Sequence, residues 1–555
     1  MEAWGSPNEE DCSMVPLLNE ELARENSAKS LRIRTSKEYD WRAPAITLGF
    51  VCLESLSLSG ISTNLVTYLS SIIHESNTTV AANVTNWTGT SFFSPILGAV
   101  LADSFAGNYK TIVFSSIIYL LGMLTVTVSA TVQHSESSSS SEAKELILFI
   151  GLYLIAFGSG GVKSSLLPLG ADQFDDENPT EREKKESFFS WFYFCMNLGA
   201  FLSSILIVWI QEYVSWAAGY GIASACMLLA IVAFLIGTPI YRVRRPEGSQ
   251  LKRIFQEFVA SQIKMKDEIA ADSSSLNEVQ GFHNLAHTDV FRCLEKAATT
   301  STSETKDRNS LSSWTLCKLV TQVEELKVLL RLFPIWLTNI LYSVAYAQLY
   351  TTFIEQGRAL DTTINGRVTI PPASLLAFEI LSIMIVVVAR SCISHERSLT
   401  QLQRMGVGQF LMILTMSMAG ALETKRLESA AKGNRISILW QLPQFFVVGC
   451  SEVFCYVGQL EFFYDEGPDS LRSVSTAISL LTISLGNYLN SAVVMVVEAV
   501  TKKWGRRRWI ADDLNEGHLD YFFWFLAGVS FLNFGAYLYF ARRYTLKRAV
   551  EAPAF

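Results

Sequence analysis

The sequence predicts an all-α integral membrane protein of about twelve transmembrane helices, arranged as two six-helix bundles. Hydrophobic residues make up 50% of the 555-residue chain and charged residues 17%, whereas soluble domains carry roughly 25% charged residues. Apolar runs of about 20 residues, the length that crosses a bilayer core, recur along the chain, for example at 146–168, 218–240 and 522–540. We interpret the runs as helices because only helices and closed barrels satisfy the backbone in lipid.

The apolar runs form two groups separated by a long polar stretch. They are centred near Leu56, Pro95, Leu121, Ile155, Phe201, Leu229, Leu341, Met384, Leu414, Val448, Leu485 and Leu532. This division predicts a cytoplasmic N-terminal tail (1–42), an N-terminal six-helix bundle (43–241), a cytoplasmic connector (242–326), a C-terminal six-helix bundle (327–541) and a cytoplasmic tail (542–555). Two such halves predict a solute site between them.

The charges of the loops favour a cytoplasmic connector and cytoplasmic termini. Arg242, Arg244 and Arg245 begin the connector, while the predicted first outer loop, 74–85, has no lysine or arginine; basic segments beside spans favour the cytoplasm. Two basic segments, at 425–435 and 502–508, would face outward and argue against this orientation. We keep it because early spans usually dominate.

Several functional classes are not expected. The net charge is −7, and no basic stripe is interleaved with aromatic residues, so nucleic acid is not an expected partner. The nine cysteines are scattered without metal-ligand spacing. Neither a nucleophile–base pair nor a nucleotide-binding loop is evident, so no enzymatic activity, metal or cofactor is expected. The expected partners are a small solute (an anion, a peptide or an amino-acid-like molecule), protons if transport is coupled, and membrane lipid.

Four charged residues inside predicted spans are the first candidates for function: Glu54, Lys163, Glu355 and Glu452. Charges are costly in a membrane and tend to be functional there. Lining one cavity, Lys163 would attract an anionic group, and a glutamate would take up and release a proton. The alternative interpretation is a structural ion pair or a side chain that extends to the interface.

Polar turns on the cytoplasmic side are candidates for gating. Asp103 ends an apolar run shortly before Lys110, and the acidic segment 172–177 precedes the basic segment 182–185. Each set is expected either to latch neighbouring helices in one state or to form a solvated turn.

Motifs along nearly the whole chain resemble the proton-coupled oligopeptide transporters, and within them the large plant nitrate/peptide transporter family. The motifs are NVTNWTGT (83–90), LGAVLAD (97–103), GGVK (160–163), GADQFD (170–175), WFYFCMNLG (191–199), FRCLEKA (291–297), LQRMG (402–406), LEFFYD (460–465), SLGNY (484–488) and LDYFFW (519–524). The resemblance implies the major-facilitator fold, alternating access and a site between the two bundles.

The resemblance also implies roles for individual residues. The substrate-binding candidates are Lys163, Glu452, Tyr346, Gln348 and Asn487. The proton-coupling candidates are Glu54 and Glu355, and the gating candidates are Asp103 and Lys110. Tyr346 aligns with a histidine that one branch of the plant family uses for nitrate, so the histidine route to nitrate is not expected here.

The first span departs from the family pattern. Members usually carry Glu-x-x-Glu-Arg there, whereas this chain has Val51, Glu54 and Ser55 at the three positions. The paired tyrosines that often follow are Leu58 and Ser59. Further departures are Asn108 in the family's Gly-Arg-Tyr and Val388, Ala389 and Arg390 in place of its Tyr-Asp-Arg. The sequence thus predicts the family scaffold with altered proton coupling.

The predicted function is secondary active transport of a small anionic or zwitterionic solute, such as nitrate, a short peptide or a related metabolite. Proton coupling, facilitated diffusion and exchange all remain open. The alternative is a membrane sensor or scaffold that moves little or no solute, suggested by the missing arginine and glutamate. Leu17 and Leu18 follow an acidic stretch and resemble a dileucine sorting signal, so the vacuolar membrane is considered beside the plasma membrane.

Overall fold

The computed structural model describes residues 40–133, 141–175, 178–243, 320–364, 368–391, 399–466, 472–503 and 508–544. The predicted tails and connector, the dileucine segment and the 291–297 motif lie wholly or almost wholly outside these ranges. Their boundaries therefore remain predictions.

The N-terminal half consists of helices that run back and forth in sequence order. They are α1 (Arg42–Ser62), α2 (Leu65–Tyr68), α3 (Asn77–Leu101), α4 (Gly107–Gln133), α5 (Ser141–Ala171), α6 (Pro179–Leu202), α7 (Val208–Tyr213) and α8 (Trp216–Ile236). Short π-helical segments at Leu69–Ile73, Ala102–Ala106 and Ser203–Ile207 extend or join them. One span is therefore often built from more than one helical segment.

The C-terminal half repeats this arrangement. Its helices are α9 (Val320–Tyr346), α10 (Thr352–Arg358), α11 (Leu376–Ser391), α12 (Gln401–Ala431), α13 (Leu442–Glu452), α14 (Gly458–Glu466), α15 (Arg472–Lys503) and α16 (Leu519–Arg543). Single 3₁₀ turns lie at Ala347–Tyr350, Pro372–Leu375 and Ile438–Gln441, and a π-helical segment at Val453–Val457. Two short antiparallel strands, β1 (Thr363–Ile364) and β2 (Val368–Thr369), connect α10 to α11.

The helices confirm the predicted membrane architecture. Nine stretches of the described residues are long and apolar enough to cross a bilayer, and one of them, Asn77–Val132, contains both α3 and α4. The shorter apolar helix Pro372–Val387 and the helix α9 bring the spans to the predicted twelve. Many large apolar side chains on these helices are exposed, such as Phe105, Leu532 and Ile236, as expected of surfaces that face lipid rather than water.

The two halves meet along two pairs of helices. Helix α3 packs against α15, and α6 packs against α11. Within the N-terminal bundle, glycines allow α3 and α5 to pack backbone to backbone: a Cβ on Gly98 would lie 2.7 Å from the Cα of Gly161. Close approach through small residues is how helices associate in lipid, and here it fixes the segment that carries Lys163.

Helix α12 weakens one objection to the predicted orientation. Arg426, which the sequence analysis counted in an exposed basic segment, is only 2% exposed and forms an ion pair with Glu423 at 2.7 Å. The helix continues to Ala431, so this arginine lies inside the bundle instead of in a loop. Its charge is neutralised there and does not report on membrane orientation.

Candidate functional site

Lys163 lies on α5 and faces the interior of the N-terminal bundle. Its side chain is half-buried, and its Nζ lies 5.1 Å from the centroid of the Phe92 ring on α3. An ammonium at this distance over an aromatic face is attracted by the ring quadrupole. The ring of Phe92 therefore helps to orient the ammonium group of Lys163.

Glu54 lies on α1 in the same region. It is 4% exposed, and the Tyr119 hydroxyl donates to its Oε1 at 3.4 Å. Glu54 and Lys163 interact electrostatically, although the ion pairs of the described residues do not include a direct contact between them within 4.0 Å. The structure thus brings these two predicted residues together within one bundle.

Glu452 is the corresponding charge of the C-terminal bundle. It ends α13, immediately before the π-helical segment Val453–Val457. The Tyr346 hydroxyl donates to Glu452 Oε2 at 2.7 Å. Segments of π-helix are frequent at functional sites, and this one begins directly after a predicted substrate residue.

Tyrosine rings surround Tyr346. Its ring centroid lies 6.4 Å from that of Tyr342, 6.2 Å from that of Tyr350 and 5.1 Å from that of Tyr456. The sequence analysis predicted Tyr346 but not the three others. Tyr342 and Tyr346 are four residues apart, a helical spacing that was visible in the sequence.

A further carboxyl group, which the sequence analysis missed, lies beside Glu452. Glu379 on α11 is 2% exposed, and its carboxyl is within hydrogen-bonding reach of Glu452 and of Tyr346. The sequence signal was available, because Glu379 interrupts the apolar run 375–388 just as Glu54 interrupts the first span.

Gln348 and Asn487 are engaged within the C-terminal bundle. The Gln348 Nε2 donates to Asn490 Oδ1 at 2.6 Å, and its Oε1 accepts from Thr352. The Asn487 Nδ2 donates to the backbone oxygen of Ile483 at 2.8 Å. Both amides therefore already have protein partners, and their predicted contact with substrate would require these bonds to be exchanged.

Glu355 lies away from Lys163 and Glu452, at the end of the molecule that carries the turn His74–Ser76. It forms an ion pair with Arg358 at 3.2 Å on α10, the structural alternative that the sequence analysis left open. Both residues line a cavity of about 1150 Å³ at this end. In the same cavity, burial raises the pKa of the Glu75 carboxyl, while the Asn83 amide, which donates to it at 2.9 Å, opposes that shift.

Hydrogen bonds close the two bundles together at this end. Arg358 donates to the hydroxyls of Ser70 and Ser71. Asn77 Nδ2 donates to the backbone oxygen of Ala511 at 2.9 Å.

Two further cross-bundle contacts lie deeper, where α3 crosses α15. The Thr90 and Tyr488 hydroxyls are 2.8 Å apart, and Ser484 donates to the Gly89 backbone oxygen at 2.8 Å. Hydrogen bonds therefore join the two bundles from the α3–α15 crossing to the His74–Ser76 end.

The predicted gating residues are not paired in this conformation. Asp103 lies in the segment Ala102–Ala106 and is half-buried, Lys110 is exposed on α4, and the ion pairs of the described residues do not join them. A different ion pair forms at that end: Arg242 donates to the Gln173 backbone oxygen at 3.0 Å and pairs with Glu181 at 3.3 Å.

Comparison with known proteins gives consistent matches over most of the chain. The family model described as "PTR2: POT family" matches residues 109–510. Protein NRT1/ PTR FAMILY 8.3 of Arabidopsis thaliana is 44% identical, over 92% of this chain and 93% of that protein. Protein NRT1/ PTR FAMILY 8.1 of the same plant is 42% identical, over 93% of this chain and 95% of that protein.

Solved structures match the fold. The crystal structure of an auto inhibited POT family peptide transporter superposes with a TM-score of 0.71 at 20% identity and covers 92% of this chain and 99% of that chain. That of a POT family transporter in complex with 5-aminolevulinic acid has a TM-score of 0.67 at 14% identity and covers 91% of this chain and 98% of that chain. These likenesses confirm the predicted fold of two six-helix bundles.

Proposed function

Because the chain belongs to the POT family of membrane transporters, we propose that it is a secondary transporter of small zwitterionic or anionic solutes. The solute would bind between the two bundles, with Lys163 on one side and Glu452 on the other. Alternating access would expose this site first to one face of the membrane and then to the other.

The opposite charges on opposite bundles carry this proposal. Lys163 belongs to α5 and Glu452 to α13, so a molecule with a carboxylate and an ammonium would bridge the two bundles. A simple anion would use Lys163 alone. A POT family transporter of the same fold has been solved in complex with 5-aminolevulinic acid. That ligand is consistent with a small charged solute for this chain.

The closed end supports a cycle of alternating access. With the orientation predicted from the loop charges, the Arg358 and Asn77 contacts seal the outer face, and the bundles would open toward the cytoplasm. The cavity beside Glu355 would then be an outer vestibule, separated from the charged site by the contacts at Thr90 and Ser484.

Uptake of labelled solutes in oocytes tests the proposal. The panel contains nitrate, dialanine, N-acetyl-dialanine and a neutral sugar, and surface expression is measured in parallel. Uptake of the charged solutes above that of water-injected cells is expected. A chain that reaches the surface and moves none of them would favour the sensor or scaffold, which the replacement of the first-span arginine by Ser55 suggests.

Arg358→Ala should loosen the outer seal. It removes the donor to Ser70 and Ser71, so the bundles should separate more often at that end. Thr67 lies one turn deeper and is 8% exposed, so Thr67→Cys serves as the reporter. Labelling by an external, membrane-impermeant maleimide should rise several-fold in the Arg358→Ala background.

The matched control for this experiment is Arg435→Ala. Arg435 is an exposed arginine that lines the same cavity, and its loss should leave labelling unchanged. Equal labelling in all backgrounds would mean that Arg358 does not hold the outer face closed.

Glu54→Gln should make the uptake of N-acetyl-dialanine nearly independent of pH. An ionised Glu54 competes with the solute carboxylate for Lys163, and a protonated Glu54 releases that cation. The glutamine mimics the protonated state, so uptake should stay at the wild-type acid level from pH 5 to about 7.5. Tyr119→Phe removes only a 3.4 Å hydrogen bond and should change the profile little; a wild-type profile in Glu54→Gln would assign proton binding to another group.

A further inference from the structure

Glu379 is a buried carboxyl for which the function proposed above has no use. It lies in the first turn of α11 and is 2% exposed. A lone ionised carboxylate in such surroundings costs several kcal/mol, so a glutamate within the apolar stretch 375–381 requires a reason.

The packing of α11 on α13 holds Glu379 against Glu452. A Cβ on Gly449 would lie 2.6 Å from the backbone oxygen of Glu379 and would overlap the Ser382 hydroxyl, so the two helices touch backbone to backbone there. Glu452 follows Gly449 by three residues and lies on the same face of α13. The two carboxyl groups come within hydrogen-bonding reach as a consequence of this contact.

The groups that face this pair are tyrosines. Tyr346 contacts both carboxyls, and Tyr350 interacts electrostatically with both. From the N-terminal bundle, Tyr193 on α6 interacts with the same two carboxyls. The described groups that interact with Glu379 do not include a cation.

Two carboxyl groups so close together, with no cation among the described groups that interact with Glu379, are not both ionised. They hold one proton between them. We propose that Glu379 and Glu452 share a proton in the empty transporter, and that this proton competes with the ammonium group of an amino-bearing solute. The competition with substrate rests on the proposed function; the shared proton does not.

The exchange balances in charge. The empty pair carries one proton and a net charge of −1. When the ammonium binds, its N–H groups take the carboxylate oxygens that the shared proton had bridged, because Tyr346 already occupies Oε2 of Glu452. The proton leaves to water when the site is exposed to one face of the membrane, and two carboxylates with one ammonium again sum to −1. The tyrosine rings add attraction for the cation.

Infrared spectroscopy of the purified protein at neutral pH tests the shared proton without any solute. The wild-type spectrum minus that of Glu379→Gln should contain the C=O stretch of a protonated carboxylic acid. Glu498→Gln, which changes a glutamate elsewhere on α15, should leave this band in place. A difference spectrum for Glu379→Gln without the band would overturn the proposal.

Uptake of dialanine and N-acetyl-dialanine tests the competition. The two solutes share a carboxylate and differ in the ammonium, so the ratio of their KM values cancels effects at Lys163. Between about pH 5 and 7, where the amino group stays protonated, the wild-type ratio of dialanine to N-acetyl-dialanine should rise as pH falls. The ratio should change by at most roughly tenfold per pH unit, which is the limit for competition with a single proton.

Glu379→Gln cannot hold the shared proton and should flatten this ratio, whereas Glu379→Asp should restore part of the slope. A wild-type ratio that does not change with pH, or an unchanged slope in Glu379→Gln, would refute the competition. Failure of wild-type protein to take up either solute would count against the proposed function, and the infrared band would still decide whether the proton is shared.

Discussion

Lys163→Ala is expected to reduce uptake of carboxylate solutes to the background of uninjected cells. An ammonium and a carboxylate about 4 Å apart attract each other by about 4 kcal/mol at an effective dielectric constant of 20, which corresponds to roughly a thousandfold in affinity. Ser55 stands where the family usually has an arginine, so the first span offers no second cation beside Glu54 to replace Lys163.

Controls separate this effect from misfolding. Lys502→Ala removes an exposed lysine at the end of α15 and should transport like the wild type. Lys163→Arg keeps the charge in a different shape and should retain part of the uptake. Normal uptake of N-acetyl-dialanine by well-expressed Lys163→Ala would remove Lys163 from the proposed site.

Arg426→Ala is expected to produce the largest loss of stability. Arg426 donates to Glu423, to Asn515 Oδ1 at 2.7 Å and to the Leu514 backbone oxygen at 2.9 Å, and Gln356 donates to Glu423 at 2.9 Å. Without the arginine, Glu423 becomes an uncompensated charge that is 0% exposed. Breaking such a buried pair costs about 3–5 kcal/mol.

The thermal midpoint of detergent-solubilised protein measures this loss. Lys425→Ala, one residue earlier and exposed, should leave the midpoint almost unchanged. The double variant Glu423→Leu with Arg426→Met removes both charges and should be less destabilised than Arg426→Ala, because replacing a buried pair by apolar side chains is often tolerated. If Arg426→Ala were as stable as Lys425→Ala, water would have to reach the Glu423 carboxylate.

The membrane fold and the charged site were predictable to different degrees. Long apolar runs give twelve spans because lipid leaves the backbone few alternatives. A charge inside such a run is also visible in the sequence, and Glu54 and Lys163 were predicted as site residues on that basis. In the structure these two residues interact electrostatically. Glu379 also interrupts an apolar run and could have been found in the same way. Its pairing with Glu452 could not, because that pairing depends on the contact at Gly449 between two helices that are distant in sequence.

Other side chains could not be oriented from the sequence. Gln348 follows Tyr346 by two residues, and the 3₁₀ turn Ala347–Tyr350 changes the helical spacing there, so Gln348 turns into the bundle toward Asn490. Arg358 lies three residues after Glu355, a helical spacing that would have predicted their ion pair. Their position where the two bundles meet, however, depends on Ser70 and Ser71 from the opposite bundle.

The distribution of charge between the bundles has an electrical consequence. Glu54 balances Lys163 in one bundle, so that bundle carries little net charge through the membrane field when the bundles rock. The carboxylate of a bound solute adds one negative charge to that bundle unless Glu54 takes up a proton, and the exchange of a proton for an ammonium at Glu379 and Glu452 leaves the other bundle at constant charge. Each elementary charge that crosses is worth about 2.3 kcal/mol per 100 mV, so the membrane potential acts on the cycle when Glu54 stays ionised and does little work on it when Glu54 is protonated as the solute binds. In the second case any concentrating power would have to come from a second solute moving in the opposite direction.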